Sequence, residues 1–515
     1  DREMQVSATV REEVNMARLV ILASFVAYFA FCWLSHLATS SVERAPLPDI
    51  THLPDDPLFL RNIQVDIVVG HASIDRNTLC SKLHSVLGDK KLHRISVNCT
   101  LSDLGDVRFL SIEGLDHHLT AFVRSSSDIS IFVLPSDKFH FTIGQYRHAW
   151  LFFDINAGSE LLERITSNIS NNLSRVVPLF TEEESPSVQQ LHSQASYLLS
   201  FSILIEDPSE TNFSWDFKQI LSGYIEPFLS KVGDVFRARI DSQIIFYADI
   251  SDHIQTGETG SSFLTKTQLE DFMGRTKWNV ESIHTPSFPA LHYFVYIPPH
   301  HLSPLLIDME TDTASTSTAF ILPRWGGVVI ANDLSAADAT ISNFDHVMAQ
   351  VLGQVRSLFG FPIPAWAEPS SHITQVPSTV GAADWEINFI KRQRLYYNYI
   401  SGAEQLRILM KLLDDNRQLP VTVHVAKLVQ QSVDSLENCL TSAKSRSYND
   451  AYNYCLVGYN AAYSAFFDET MLPLLYFPDE HVYAVYMPYF VPIAMPILSR
   501  IGEIFKLLKS RMKAQ

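Results

Sequence analysis

Nineteen residues near the start of the chain, Leu19 to Leu37 (LVILASFVAYFAFCWLSHL), carry no Asp, Glu, Lys or Arg. As a helix such a run is just long enough to cross the roughly 30 Å hydrocarbon core of a bilayer. The rival reading is a cleaved secretory signal, for which Ala38, Thr39 and Ser40 supply small residues. The length of the run favours an anchor, as does Trp33, placed near its far end where an indole suits the membrane interface. A second apolar segment covers residues 480–502 and contains MPYFVPIAMPIL, with Pro488, Pro492 and Pro496 spaced by four. In water each interior proline would cost a helix about 3 kcal/mol, by deleting an amide donor and crowding the preceding turn. A membrane helix tolerates them because neighbouring helices can satisfy the released carbonyls, here those of Ala484, Pro488 and Pro492. Spacing by four keeps the prolines on one face, drifting about 40° per step. A packing face toward other membrane helices or a lipid headgroup is the expectation, and a kinked solitary anchor is the alternative.

Lys506, Lys509, Arg511 and Lys513 follow the second segment, and Arg2, Arg11 and Arg18 precede the first. Positive residues stay on the cytosolic side, so two spans place both termini in the cytosol and the long middle region across the membrane. The expected order is a cytosolic tail at 1–17, a span at 18–38, a Pro-rich linker at 39–62 (APLPDITHLPDD within it), an α/β domain at 63–375 and a helical bundle at 376–475. The second span at 480–502 and a basic cytosolic tail at 503–515 complete it.

Within the middle region IQVDIVVG (Ile63 to Gly70) reads as a strand, a β-branched run ending at glycine. A helix is expected around Asp75 to Leu87 and a short strand over Arg94 to Val97. ISIFVLP, HAWLFFDI, SYLLSFSILIED, IDSQIIFYADI, LHYFVYIP and WGGVVIAN are further strand candidates. Leu161, Leu162, Ile165, Ile169, Leu173 and Val176 line one side of a helix over Glu160 to Val176, and IEPFLSKVGDVF reads as another. Strands alternating with helices imply an α/β domain with a mixed sheet. Ala383 to Asn416, Val425 to Ala443 and Tyr448 to Phe466 carry helical spacing and few strand signals, which implies a small bundle.

Chemistry is sparse. With 56 acidic against 39 basic residues the net charge is -17, which argues against a nucleic-acid partner. There is no HExxH, GxSxG, Walker loop or GxGxxG following a strand. The adjacent pairs His117-His118 and His300-His301 point to different faces and chelate poorly. Asp308, Glu310 and Asp312 read as an acidic loop. Cys80 and Cys99 have His84 and His93 nearby, so a Cys-His hydrolase is formally open, without a local signature to support it. Cys80, Cys99, Cys439 and Cys455 form no CxxC pair; one or two disulfides or free buried thiols both fit. Four sequons, at Asn98, Asn168, Asn172 and Asn212, are candidate N-glycosylation sites, and all lie in the middle region.

The stretch AFFDETMLPLLYFPDEHVYAVYMPYFVPIAMPIL, Ala465 to Leu498, resembles the PIG-S family, a subunit of the GPI transamidase of the endoplasmic reticulum. ERAPLP, FSILIEDP, DSQIIFYA, PRWGG and LFG match it in the same order along the chain. The resemblance implies a non-catalytic structural subunit, bound in the endoplasmic reticulum membrane with its bulk in the lumen. Its complex cleaves the C-terminal signal of precursor proteins and transfers the new carboxyl end to a GPI lipid. The implied partners are a PIG-K-like catalytic subunit that carries the cysteine nucleophile, PIG-T, PIG-U and a Gaa-type subunit, together with membrane lipid. No cofactor and no catalytic residue of this chain are implied. Trp325 in PRWGG is a candidate partner contact, and a tryptophan covering a sheet edge is the alternative. Two other classes fit the topology: a lumenal chaperone or cargo receptor, and a stand-alone hydrolase.

Overall fold

A computed structural model describes residues 44–471, apart from internal stretches of which the longer are 177–195, 266–288, 309–316, 335–342 and 363–372, and a few isolated residues outside that range. No helix among the described residues is long and apolar enough to cross a membrane. The two expected spans lie outside the described residues except for Ala23, Val26, Ala27, Ala30 and Pro488. The chain divides into two compact units, one of Asp56–Tyr397 with Ser442–Tyr452, the other of Asn398–Thr441 with the described parts of Asp1–Asp55 and Asn453–Gln515.

The first unit is a mixed α/β assembly. In chain order it holds β1 (Ile63–Val69), α1 (Arg76–Gly88), β2 (Ile95–Leu101), α2 (Ile112–Thr120), β3 (Ile129–Ser136), β4 (His140–Ile143), β5 (His148–Asp154) and α3 (Leu161–Val176). There follow β6 (Tyr197–Ile205), α4 (Phe217–Val232), β7 (Ala238–Phe246), β8 (Gln255–Thr256), β9 (Ser262–Thr265), β10 (Ala290–Ile297) and β11 (Leu305–Asp308). The hairpin β12 (Ala319–Leu322) and β13 (Gly326–Ile330), α5 (Asn343–Leu358) and β14 (Ile373–Gln375) complete it. Three helices come last: α6 (Asp384–Asp415), α7 (Val423–Lys444) and α8 (Tyr448–Phe466).

The strands form three sheets rather than the single mixed sheet expected, because a strand's sequence names its faces but not its neighbours. The first sheet has the order β14-β4-β5-β3-β1-β2, and the second β12-β13-β10-β6-β7. In each, four strands run parallel and an antiparallel hairpin strand follows on one side, β4 on β5 and β12 on β13. The series β2-β1-β3-β5-β4 and β7-β6-β10-β13-β12 therefore share one topology: the first strand is central, the next lies at the edge, and the chain crosses back over the first. No fixed-period repeat in the sequence announces this duplication, since the connections differ in length.

Burial on both faces explains the composition of the central strands. In β1, Val65, Ile67 and Val69 pack with Leu79, Leu83 and Leu87 of α1 and with Ile165, Ile169 and Leu173 of α3. Val68 points the other way, to Leu115 and Leu119 of α2. Asp75 starts α1 by accepting from the amide of Asn77 at 3.1 Å, and Ser111 starts α2 by accepting from that of Gly114 at 3.1 Å. Cys80 of α1 is joined to Cys99 of β2.

The first half of α6 belongs to this unit and docks through charge. Glu386, at the third position of the helix, accepts from the amide of Ala383 at 2.8 Å and pairs with Arg356 of α5 at 2.8 Å. Arg392 is buried; Nη1 meets Asp128 Oδ2 at 2.5 Å, Nη2 donates to the carbonyls of Leu60 (3.1 Å) and Asn62 (2.5 Å), and the guanidinium lies over the Tyr448 ring at 4.4 Å. Lys391 reaches Asp234 and Asn449, and Arg394 covers the Phe236 ring at 3.9 Å.

In the second unit the Pro-rich stretch, expected as a linker, is tied down. Arg44 bridges to Val421 and donates to the carbonyls of Leu419 (3.0 Å) and Leu413 (3.1 Å). The Tyr399 hydroxyl donates to the Pro54 carbonyl, and Arg407 to that of Leu53. Cys439 of α7 and Cys455 of α8 form the second disulfide. Gly458 lets those helices close, because a Cβ there would meet the Leu436 side chain at 2.9 Å and Ser432 already donates to its carbonyl.

A largely buried carboxylate left without its cation is far more costly than an exposed one. Arg392→Met, which strands Asp128, is expected to destabilise the protein by about 3–5 kcal/mol. Lys391→Met, whose partner Asp234 is solvent-exposed, is expected to cost about 1 kcal/mol or less. Thermal unfolding of the purified variants checks the order, and equal losses would refute it.

Candidate functional site

The cysteines leave little room for nucleophilic catalysis among the described residues. Cys80, Cys99, Cys439 and Cys455 are all in disulfides, so none offers a free thiolate. His84 is exposed on α1, and His93 lies outside the described residues. His118 meets the Leu104 carbonyl at 3.1 Å, while His117, His300 and His301 are exposed. Asp308 ends β11, and Glu310 and Asp312 lie outside the described residues. No group of three His, Cys, Asp or Glu among the described residues is arranged to hold a metal.

Among the described residues one acid–imidazole pair is buried on both sides. His148, at the start of β5, lies with Nε2 3.0 Å from Asp116 Oδ1 of α2, and both side chains are almost wholly enclosed. The Gln145 amide donates to the same carboxylate at 3.2 Å, and Gly144 leaves it room, since a Cβ there would sit 2.1 Å from Oδ1. Phe132, Tyr146 and Trp150 surround the imidazole. A substrate cannot reach a group this enclosed, so the pair binds α2 to the sheet.

The family-like stretches mostly do structural work. In PRWGG, Gly326 has φ +141° and a Cβ there would overlap the His292 carbonyl oxygen at 1.8 Å. Gly327 faces Gln354 of α5, whose amide donates to the carbonyls of Phe320 (3.1 Å) and Val328 (2.8 Å) and so clamps both strands of the hairpin. Trp325 is half-buried, its ring edge-to-face with Phe294 at 5.2 Å and 5.8 Å from the His292 ring. LFG ends α5: Gly360 at φ +81° turns the chain, the Phe361 amide returns to the Arg356 carbonyl, and Phe359 stacks on Phe236 at 4.2 Å. FSILIEDP is β6 with its exit, where the Tyr296 hydroxyl donates to Glu206.

DSQIIFYA differs. It covers most of β7, which among the described residues pairs on one side only, with β6, and shows alternating exposure. Ile244 is 38% exposed, Phe246 48% and Tyr247 78%. Tyr247 has φ +59°, a left-handed conformation that costs a bulky residue on the order of 1 kcal/mol or more. It turns the chain so that the Ala248 amide reaches the Ile205 carbonyl and Ala248 is buried, while the Tyr247 ring is left in solvent. A strand at the edge of the described sheet with exposed apolar side chains suits docking of another chain. The sequence held the signal: Arg239, Asp241, Ser242 and Gln243 interrupt β7, whereas the central β6 and β10 read YLLSFSILI and ALHYFVYI.

Of the sequons, Asn98 is exposed on β2, and Asn168 and Asn172 are half-buried on α3 with the Asn172 amide donating to Asn168 at 2.5 Å. Asn212, Pro492 and Pro496 lie outside the described residues; Pro488 is helical and exposed.

A family profile described as phosphatidylinositol-glycan biosynthesis class S protein matches residues 23–511. This chain belongs to the PIG-S family. Among its PIG-S relatives is a human protein named GPI-anchor transamidase component PIGS, 28% identical over 323 residues, which are 61% of this chain and 58% of that protein. A Schizosaccharomyces pombe GPI transamidase component PIG-S homolog is 22% identical over 61% of this chain and 55% of its own length. The Saccharomyces cerevisiae GPI transamidase component GPI17 is 22% identical over 55% of this chain and 53% of its own. The matched stretch thus spans little more than half the length of these relatives.

The imidazole beside Trp325 gives a pH test. Burial lowers the His292 pKa below its ordinary 6.5, and does the same to His140. The unfolded chain then takes up protons at a pH where the folded one does not. Stability is full above 6.5 and is lost as pH falls from there through the folded value. Unfolding temperatures at about pH 7.5 and about pH 5.5 should show this loss, and His292→Phe should make it smaller. An unchanged pH dependence in that variant would assign the loss elsewhere.

Proposed function

We propose that the chain is a non-catalytic structural subunit of a GPI transamidase, supporting removal of a precursor's C-terminal signal and its replacement by a GPI lipid. The observation that carries this is the family match over residues 23–511 with relatives named as components of that enzyme. The cysteine nucleophile then belongs to a PIG-K-like subunit, with PIG-T, PIG-U and a Gaa-type subunit as further partners. The body between the two apolar segments lies in the lumen of the endoplasmic reticulum, and two disulfides suit that oxidising compartment. The reaction joins a hydrophobic tail and a glycolipid, so a body fixed beside the bilayer by both ends can brace the catalytic subunit there.

Two surfaces are assigned to assembly. The outward side of β7 with Tyr247 takes a neighbouring lumenal subunit, and the face carrying Pro488, Pro492 and Pro496 packs against partner membrane helices. Trp325, half-buried on the hairpin next to His292, contributes a rim contact at most. The tagged protein, extracted from membranes in mild detergent, should bring down the named subunits in near-equal amounts. A changing set of substoichiometric clients would instead indicate a chaperone.

Ile244→Ser/Phe246→Ser/Tyr247→Ser should reduce recovery of a lumenal subunit at least tenfold, a loss of about 1.4 kcal/mol or more in binding, while the protein's own level holds. Undiminished recovery would remove β7 from the interface. Replacing the three prolines with leucine should weaken assembly or GPI transfer without altering the unfolding temperature of the lumenal body. Unchanged yield and unchanged anchoring of a reporter would refute the role given to that face.

A further inference from the structure

The two sheets share a topology, and their equivalent edge strands, β2 and β7, are finished differently. β7 turns Ile244, Phe246 and Tyr247 outward. β2 carries the sequon Asn98-Cys99-Thr100 in its middle. Alternation decides where that asparagine points. Ile95, Val97 and Cys99 pack against the core beneath α1, so Ser96, Asn98 and Thr100 face the other way. Ser96 donates to the Ile63 carbonyl, whereas Asn98 is exposed and its amide makes no hydrogen bond among the described residues. The α3 sequons are built the opposite way. Asn172 is bonded to Asn168, both are half-buried, and Ser170 of the first of these sequons is buried.

We propose that Asn98 is an N-glycosylation site and that its glycan closes the β2 edge to strand addition, whereas the equivalent strand β7 takes partners. This rests on the lumenal placement argued above. The donor is an oligosaccharide held by pyrophosphate to a membrane lipid. The Asn98 Nδ2 bonds to the anomeric carbon, the sugar–pyrophosphate bond breaks, and the lipid pyrophosphate leaves while the amide gives up one proton. Among the described residues only β1 pairs with β2, so the other side of β2 is an edge there, the liability that natural sheets blunt with bulk or charge. Ser96, Asn98 and Thr100 supply no charge. A hydrated glycan at the central residue supplies the bulk. Cys99, bonded to Cys80 of α1, fixes the strand so that the glycan stays at the edge.

The test uses the full chain expressed in membranes. Peptide mapping after glycosidase treatment should show Asn98 converted to aspartate, and Asn98→Gln and Thr100→Ala should each remove the same single step in gel mobility. Ser445→Asn, which creates an Asn-Arg-Ser sequon in the exposed turn between α7 and α8, serves as a control for placement. Modification of the control with an unmodified Asn98 would overturn the proposal and leave the lumenal reading standing. An unmodified control together with an unmodified Asn98 would overturn both. Self-association of the two glycan-free variants should rise at least severalfold on native gels. Unchanged self-association with Asn98 shown to be modified would overturn the edge-blocking role.

Discussion

The Arg392 guanidinium is the node on which the α/β unit depends. It holds Asp128 at the entry to β3, the carbonyls of Leu60 and Asn62 at the entry to β1, and the Tyr448 ring at the start of α8. Asp128 in turn accepts from the Gln64 amide at 2.8 Å. A buried charge adds little net stability over an apolar replacement but penalises every arrangement that leaves it unpaired. The first half of α6 therefore has one register against the sheet, with Glu386 fixed to Arg356 six positions earlier. Specificity of docking, rather than stability, is what three closely spaced cations provide here.

The second organising constraint is the repeated sheet topology. A crossover that returns over its first strand always leaves the next strand at an edge. One topology used twice thus puts two equivalent strands, β2 and β7, at edges that must each be paired, blunted or used. On the opposite sides lie the hairpin strands β4 and β12, and β14 extends the first sheet further. Among the described strands the outer ones are β14 and β2 in the first sheet and β12 and β7 in the second; β2 carries a sequon in its middle and an exposed Leu101 at its end, and β7 ends in the exposed Ile244 and Phe246. In the proposed subunit role this asymmetry gives the body a direction: a surface to occupy and a surface to keep clear.

Much of the fold was legible in the sequence, and the reasons are local. Continuous β-branched and aromatic runs marked β1, β3, β6 and β10, because strands buried on both faces have no polar side to show. The three late helices were marked by their spacing, and α8 runs over Tyr448–Phe466 as expected. The charged positions were not legible. Lys391-Arg392-Gln393-Arg394 resembles an exposed basic patch, and nothing in the pattern of α6 reports partners at residues 60, 128 or 234. The cysteine pairing was also open, since distance in the fold does not follow spacing along the chain. The Pro-rich stretch after Arg44 reads as a linker by composition, but proline excludes only regular structure and leaves its carbonyls free to accept, as Pro54 does from Tyr399.

The same logic separates structural from functional motifs among the described residues. A stretch fixed by backbone geometry declares itself through glycines, caps and buried partners: Gly326 against His292, Gln354 across the hairpin, Gly360 closing α5. Asp241 to Ala248 has few of these, and its one backbone peculiarity, the left-handed Tyr247, directs an aromatic ring into solvent. Burying that ring would remove apolar surface from water at about 25 cal/mol per Å², and the fold declines to do so. Strain and exposure at one residue oppose stability together, which is the pattern of a position shaped for contact with something other than its own chain.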